Sequence, residues 1–248
     1  MNDFAIKRVE ELILKEYIKP KCHVLDTVEF SDIVSRVKIG EIERVVFYVR
    51  HSERPEIDVN DPTFGAHLGL TDYGVKLAHE VGVALRGIPN LVAYASPARR
   101  TILTAQEILL SYGVANPDIK VSDEISLNGL YTEDGKTLHE SYRTRGSGVV
   151  NDAYNNGEFV AGYIPRNKAS QAMYNYLTGA ELEGNLLMVS HDVFIAAFMM
   201  AISDDKFGFS TKRWIGFIQG AALALEADGW HVYYVVPNIA SHHSVFIQ

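Results

Sequence analysis

The chain has 248 residues, 47% of them hydrophobic and 22% charged, which is the balance of a globular protein that can bury a complete core. Its net charge of −8 argues against nucleic acid or an anionic membrane as the main partner. A single cysteine, Cys22, excludes an intrachain disulfide and a cysteine zinc cluster, and it fits a reducing compartment. No signal peptide is recognisable, and no apolar run reaches the roughly 20 residues of a membrane span, so we expect a cytoplasmic protein.

The first predicted element is an amphipathic helix that ends before Pro20. Its apolar stripe has helical spacing and consists of Ile6, Val9, Leu12 and Ile13. The run RVVFYV at 44–49 is predicted as the first buried strand, since it lacks the polar alternation of a strand with one solvated face. A second helix is then expected, which Thr71 or Asp72 can cap and which Gly87 ends.

Two further apolar strands are predicted, NLVAYAS at 90–96 and NLLMVS at 185–190, and a helical pattern follows each of them at once. Ser96 suits the N-cap of the first of these helices, and Pro97 suits its first position. The last predicted feature is a β-hairpin, because two β-rich runs flank the Asp-Gly pair at 228–229.

Strands that alternate with helices and end in a hairpin predict an α/β fold. We expect a three-layer sandwich in which a mainly parallel central sheet carries helices on both faces and a C-terminal β-hairpin closes the chain. A single domain over residues 1–248 would hold all of these elements. The stretch 131–163 is rich in Tyr, Asn and Gly with weak periodicity, which predicts an insertion or lid, with a solvated surface loop as the alternative.

Polar side chains stand where each of the three predicted buried strands ends. The segments there are RHSER, SPARR and SHD. Ligands of open α/β sheets bind in the crevice at the carboxyl ends of the strands, so one edge of the sheet should collect these charges. The residues concerned are Arg50, His51, Arg54, Arg100, His191 and Asp192. Arginine forks and histidines beside helix N-termini predict a pocket for a phosphate group.

Each of these residues has an ordinary structural alternative. A single arginine at a strand end is often solvated, a single histidine is often structural, and Asp192 can simply cap the helix that it opens. Arg99 competes with Arg100, because the two project about 100° apart on one helix and Arg100 lies one turn before Thr104. The structural alternatives weaken because all of them must hold at three strand ends at once.

At these segments the sequence resembles the histidine phosphatase superfamily, which includes phosphoglycerate mutases and histidine acid phosphatases. The resemblance is carried by RHSE at 50–53, LTDYGVKLA at 70–78, SPARRTILT at 96–104 and LLMVSHD at 186–192. It selects Arg100 over Arg99 as the phosphate-binding arginine.

Two features separate the sequence from the common pattern of that family. Ser52 stands where the family keeps a glycine after the first histidine. The segments also mix two branches, because Arg54 and Asp192 resemble the additional arginine and the proton-donating aspartate of the acid phosphatases. The mutase-like branch takes its proton donor from a glutamate, for which Glu124 is the candidate. Asp192 is preferred because the spacing around Glu124 fits loosely, although the short chain without disulfides looks more mutase-like.

The resemblance implies a role for each residue. His51 would attack phosphorus and form a phosphohistidine, and Asp192 or Glu124 would protonate the leaving group. The phosphoryl-binding residues would be Arg50, Arg54, Arg100 and His191. No metal is expected, because the arginines supply the positive charge. The histidines at 242–243 lack a carboxylate or cysteine at ligand spacing and are not interpreted as a metal site.

The function predicted from these residues is hydrolysis of a small phosphorylated metabolite without a cofactor. Phosphoglycerate-mutase-type transfer is the alternative, since the same phosphohistidine would return the phosphate to a bound sugar acid. A non-catalytic protein that binds a phosphate ligand is the third interpretation, and the presence of both His51 and His191 argues against it. The substrate and the oligomeric state stay open.

Overall fold

The computed structural model describes residues 1–58, 61, 63, 65–203, 208 and 210–238. Its helices are Asp3–Ile13 (α1), Phe30–Lys38 (α2), Asp72–Ala84 (α3), Arg99–Tyr112 (α4), Gly135–Arg145 (α5), Ser147–Asn155 (α6), Arg166–Thr178 (α7) and Asp192–Ser203 (α8). Its strands are Lys21–Glu29 (β1), Arg44–Arg50 (β2), Leu91–Ala95 (β3), Lys120–Val121 (β4), Asn185–Ser190 (β5), Gly220–Glu226 (β6) and Gly229–Val236 (β7). None of the described helices is long and apolar enough to cross a bilayer.

The strands form one sheet in the order β1-β7-β6-β2-β5-β3-β4. Strand β6 runs antiparallel to its neighbours β2 and β7, whereas the other neighbouring pairs are parallel. Arg50 at the end of β2 lies opposite Ser190 at the end of β5, and Ala95 at the end of β3 lies opposite Val189. The carboxyl ends of these three strands are therefore level at one edge of the sheet.

Two apolar cores cover the two faces of the sheet. Strand β2 contributes to both, because its side chains alternate: Val46 and Tyr48 join one core, while Phe47 and Val49 join the other. Helices α2, α3 and α4 pack on the second core, and α1, α5, α6, α7 and α8 pack on the first. The predicted three-layer α/β sandwich with a mainly parallel sheet and a C-terminal hairpin is confirmed.

Several boundaries differ from the sequence predictions. The run at 44–49 belongs to the second strand of the chain, because β1 precedes it and pairs with β7. Helix α1 ends at Ile13, well before Pro20. Thr71 does cap α3, and its side chain accepts a hydrogen bond from the Gly74 backbone N–H.

The prediction of Ser96 as an N-cap is wrong. Helix α4 begins at Arg99, and its N-cap Ala98 has no side chain that could accept a hydrogen bond. The Ser96 hydroxyl is instead within hydrogen-bond distance of the Thr101 hydroxyl and the His191 ring, each at 2.9 Å. Ser96 is fully buried, so its hydroxyl is held inside the fold rather than at the helix end.

The 131–163 segment contains the two short helices α5 and α6. Its ends meet through an isolated antiparallel bridge between Thr132 and Tyr163. Inside it, the rings of Tyr154 and Tyr163 stack with centroids 3.9 Å apart. The segment is thus closed at its base and packed, and Leu138 and Tyr142 on α5 face the cleft described below.

Candidate active site

A cleft of about 2370 Å³ opens at the carboxyl ends of β2, β5 and β3. The structure brings six of the seven predicted site residues into its lining: Arg50, His51, Arg54, Arg100, His191 and Asp192. They converge because neighbouring parallel strands end at the same edge of a sheet.

His51 is buried directly after β2 and presents one ring nitrogen to the cleft. Its Nδ1 lies 2.6 Å from the backbone carbonyl oxygen of Ser52. A carbonyl only accepts, so Nδ1 carries the hydrogen and the lone pair is on Nε2. Burial holds the pKa of His51 well below 6.5, and the positive charges of Arg50 and Arg100 and the nearby His191 act in the same direction. His51 is therefore a neutral imidazole with a free basic nitrogen.

The second histidine, His191, is held in the opposite tautomer. A guanidinium nitrogen of Arg100 lies 3.2 Å from its Nδ1, and since arginine only donates, Nδ1 accepts. Nε2 then carries the hydrogen and donates to the Ser96 hydroxyl at 2.9 Å. Burial, and after it Arg100, Arg50 and Arg54, holds the pKa of His191 well below its usual range. The rings of His51 and His191 are 5.7 Å apart.

Three of the arginines that line the cleft have side-chain donors that no acceptor in the described part of the chain satisfies. The buried Nε atoms of Arg50, Arg54 and Arg100 have no hydrogen-bond partner among the described residues. Burial lowers the pKa of Arg54, and burial together with Arg54 lowers that of Arg100 to about 10. Buried donors of this kind favour an anion that accepts hydrogen bonds from several of them at once.

Asp192, the first residue of α8, is the carboxylate at the centre of this group. One of its oxygens, Oδ2, lies 3.1 Å from Nη2 of Arg50 and accepts the indole N–H of Trp214 at 2.9 Å. The other oxygen, Oδ1, accepts the backbone N–H of Val193 at 3.0 Å. Its side chain is 22% exposed, so it reaches the open part of the cleft.

The sequence of residues 46–234, more than half of the chain, matches the family model of the histidine phosphatase superfamily (branch 1). The chain belongs to the histidine phosphatase superfamily. No curated protein matches it by sequence.

Solved structures show the same fold at low sequence identity. A mutant phosphoserine phosphatase from Entamoeba histolytica in complex with phosphoserine is 16% identical, with a TM-score of 0.52, and the match covers 76% of this chain and 94% of that one. Two mycobacterial hydrolases are similar. Hydrolase 2 is 15% identical over 82% of this chain and 93% of its own, with a TM-score of 0.51. Hydrolase 1 is 16% identical over 79% and 98%, with a TM-score of 0.50.

Glu124, the other candidate proton donor, is not brought into the described cleft lining. Its Oε1 accepts a hydrogen bond from Nε of Arg8 on α1 at 3.3 Å, and its Oε2 accepts one from the Ser122 hydroxyl at 3.1 Å. Arg8 lies in the N-terminal segment before the residues that match the superfamily. The carboxylate is thus paired outside the cleft.

Ser52, the departure from the family's glycine, is accommodated without a side chain in the cleft. Its hydroxyl donates to the backbone carbonyl of Gly74 at 2.7 Å, and its N–H donates to the Thr104 hydroxyl at 2.9 Å. Gly74 permits this approach, because a Cβ there would lie 2.2 Å from the carbonyl oxygen of Glu53. The serine thus links the segment at 50–53 to α3 through a hydrogen bond.

Sequence reasoning missed Trp214, Ile215 and Phe217, which lie in the segment before β6. The carbonyl oxygen of Ile215 accepts a hydrogen bond from Nη1 of Arg50 at 2.8 Å. The centroid of the Phe217 ring lies 4.3 Å from Cζ of Arg50. One signal could have found them. Strand β6 runs antiparallel to β2, so the residues that lead into β6 must arrive where β2 ends.

A second group of titratable residues lies on the hairpin, away from the cleft. Ligand atoms of Glu226, Asp228 and His231 lie within 4.8 Å of one another. Lys21 and Arg36 pair with the two carboxylates, so these oxygens are already engaged. The histidines at 242–243 lie outside the described residues.

Proposed function

We propose that the protein hydrolyses the phosphomonoester of a small metabolite through a phosphohistidine on His51 and without a metal. The observation that carries this proposal is the tautomer of His51. Its Nδ1–H donates to the Ser52 carbonyl, so the Nε2 lone pair is available for attack. The same cleft holds guanidinium groups whose Nε–H has no acceptor among the described residues. A neutral imidazole nitrogen beside cationic donors suits attack on an anionic phosphorus.

The reaction proceeds in two balanced steps. First, the Nε2 lone pair of His51 forms a bond to phosphorus, the ester P–O bond breaks, and Asp192 transfers its proton to the departing oxygen. Second, a water molecule attacks phosphorus, Asp192 accepts the proton of that water, and the P–N bond breaks to release inorganic phosphate. The cationic residues hold the equatorial oxygens, and they are Arg50, Arg54, Arg100 and His191.

Asp192 is the proposed proton donor rather than Glu124. Asp192 lines the cleft with the phosphate-binding residues, whereas Glu124 is paired with Arg8 and Ser122. A general acid must lie within hydrogen-bond reach of the atom that it protonates. The position of Asp192 in the cleft supports this choice.

A small phosphorylated metabolite is the proposed partner. The phosphoryl end would occupy the buried arginine pocket, and the cleft beyond it is lined by aromatic side chains, among them Tyr73, Tyr142 and Phe217. Aromatic faces of this kind suit an organic group. The net charge of −8 and the single cysteine support a metabolite substrate in a reducing, cytoplasmic setting rather than nucleic acid or a membrane surface.

The test is hydrolysis of 4-nitrophenyl phosphate in excess chelator from pH 4 to 8. The variants are His51→Ala and, as a matched control, His79→Ala on α3, whose exposed ring lies 3.4 Å from Glu107. We expect chelator-resistant turnover in the wild type and in H79A, and loss of it in H51A. Quenching the wild type during turnover should trap an acid-labile, alkali-stable phosphoenzyme that H51A does not form.

Turnover that persists in H51A would overturn the nucleophile assignment. Loss of activity in chelator alone would overturn the metal-independent chemistry. Preferential transfer of the phosphate to an added sugar-acid acceptor instead of water would replace the hydrolase with a mutase.

A further inference from the structure

We propose that Trp214 is a positioning residue that determines which oxygen of Asp192 carries the transferred proton. This inference rests on the proposed function, in which Asp192 is the proton donor. Trp214 itself need not touch the substrate for this role, because it acts through the carboxyl group that its indole N–H contacts.

The two oxygens of Asp192 differ in their hydrogen-bond partners. Oδ2 faces two donors, the indole N–H of Trp214 at 2.9 Å and Nη2 of Arg50 at 3.1 Å. Oδ1 accepts one donor, the backbone N–H of Val193 at 3.0 Å. An oxygen with two donors directed at it has no lone pair left for a hydrogen, whereas Oδ1 keeps one free.

Indole is a suitable group for this task because it only donates and carries no charge. A hydrogen bond from it therefore orients the carboxyl without adding to the positive charge of the pocket. The acidic hydrogen is excluded from Oδ2 and occupies Oδ1. The leaving oxygen of the substrate must accordingly approach Oδ1.

The fold places Trp214 here through the antiparallel strand β6. The backbone N–H of Arg50 donates to the carbonyl oxygen of Gln219 at 3.0 Å, just before β6 begins. The same segment supplies the Ile215 carbonyl and the Phe217 ring that hold the Arg50 side chain. One short segment therefore fixes both Arg50 and Asp192, which ties the proton donor to the phosphate pocket.

Charged and titratable groups face Asp192 from several elements. They are Arg50 at the end of β2, Arg54 after it, Arg100 on α4, His191 just before α8, and Tyr142 and Tyr163 of the 131–163 segment. Removal of the indole N–H leaves all of these in place. A change of the pH profile in that variant then reports the lost hydrogen bond.

The experiment compares Trp214→Phe with Trp230→Phe, since the chain has two tryptophans and Trp230 lies on β7 beside Arg44. In W214F, the alkaline limb of the pH profile of kcat/KM should move to higher pH by about one unit. The reason is that the lost indole N–H had favoured the ionised carboxylate. At the acidic end, kcat/KM should fall about tenfold for an alkyl phosphate and less than about threefold for 4-nitrophenyl phosphate, whose leaving group needs little protonation. W230F should match the wild type in both respects.

Two further variants keep the test decisive if W214F folds poorly. Trp214→His places the ring atom Nε2 where the indole nitrogen stood, so its pH limb should lie nearer the wild type than that of W214F. In the background of Asp192→Asn, W214F should produce no further shift or leaving-group dependence, because its route of action is gone.

Equal losses for both esters with an unmoved pH limb would assign Trp214 a merely structural role and overturn the inference. A full W214F effect in the D192N background would overturn it as well. If H51A is inactive and D192N selectively impairs the alkyl ester while W214F behaves like W230F, the proposed function stands and only this inference fails.

Discussion

Two clusters of charged side chains lie at different places on the same sheet. The cleft cluster has five basic residues and one carboxylate: Arg50, His51, Arg54, Arg100, His191 and Asp192. The hairpin cluster has three basic residues and two carboxylates: Lys21, Arg36, His231, Glu226 and Asp228. The residue types are similar, but the balance of charge differs.

The hairpin cluster neutralises itself. Nε2 of His231 and the Lys21 ammonium both donate to Asp228, and Arg36 pairs with Glu226 at 2.8 Å. These hydrogen bonds, that of Lys21 first and that of His231 next, lower the pKa of Asp228 to about 2. Its charges are matched by neighbours, so the cluster stabilises the hairpin and requires no ligand.

The cleft cluster cannot neutralise itself with Asp192 alone. Its histidines are held neutral, and the Nε atoms of its three arginines have no partner among the described residues. An excess of buried positive charge raises the free energy of the empty cleft and favours a bound anion. Charge balance, rather than residue type, distinguishes a cluster that favours an anion from a cluster that is structural.

The largest expected effect concerns the single carboxylate of the cleft cluster. Asp192→Asn should lower kcat/KM for an alkyl phosphate by about 100- to 1000-fold, because the leaving oxygen loses its general acid. Asp228→Asn in the hairpin cluster and Glu124→Gln beside Arg8 should leave it unchanged. Steady-state kinetics of the three variants measures this, and a loss in E124Q as large as that in D192N would transfer the role to Glu124.

A second prediction uses the neighbouring arginines of α4. Arg100 is buried in the cleft, whereas Arg99 is exposed. Arg100→Ala should weaken competitive inhibition by inorganic phosphate by about 10- to 100-fold, since it removes charge-assisted hydrogen bonds. Arg99→Ala is the matched control and should behave as the wild type. Equal inhibition constants in R100A and the wild type would remove Arg100 from the anion site.

A third prediction is that an anion should stabilise the fold through the cleft cluster only. At a phosphate concentration of about 100 times Kd, the wild type should gain about 2.7 kcal/mol, which is about 5 to 10 °C in Tm for a chain of this size. D228N should show the same gain by differential scanning fluorimetry, and R100A at the same concentration a much smaller one. If D228N lost the gain, the contrast between the clusters would fail.

The last prediction concerns the pH dependence of stability. The pKa values of His51 and His191 are depressed in the folded chain, so below pH 6.5 the unfolded chain binds protons that the folded chain does not. The free energy of unfolding should therefore fall as the pH drops below 6.5, by up to about 1.4 kcal/mol per pH unit for each histidine. Asp228 acts in another window, because its contribution is present above the unfolded value of 3.8 and is lost towards the folded value of about 2.

Urea unfolding between pH 8 and 5 tests this difference. His191→Asn should flatten the slope, whereas D228N should leave it as in the wild type. A slope that changes in D228N but not in H191N would contradict the assignment of the buried neutral histidines.

Much of the fold followed from local pattern. The apolar runs ending at Val49, Ala95 and Ser190 are strands because they are short, buried and rich in β-forming residues. The turn at Asp228 and Gly229 closes a hairpin because Gly229 adopts a φ of +117°. Strand β1 and the start of α4 were less predictable. The edge strand β1 depends on its partner β7, and Ser96 turns inward to His191.

The sequence alone predicted a common site for residues that lie at or soon after the ends of buried strands, because parallel strands end at one edge of a sheet: Arg50, His51, Arg54, Arg100, His191 and Asp192. Only the tertiary structure determines the hydrogen-bond partners of the two candidate carboxylates. Arg8 engages Glu124 across 116 positions of the chain, and Trp214 engages Asp192 across 22. Contacts at such separations depend on the packing of whole elements, and local sequence patterns do not encode them.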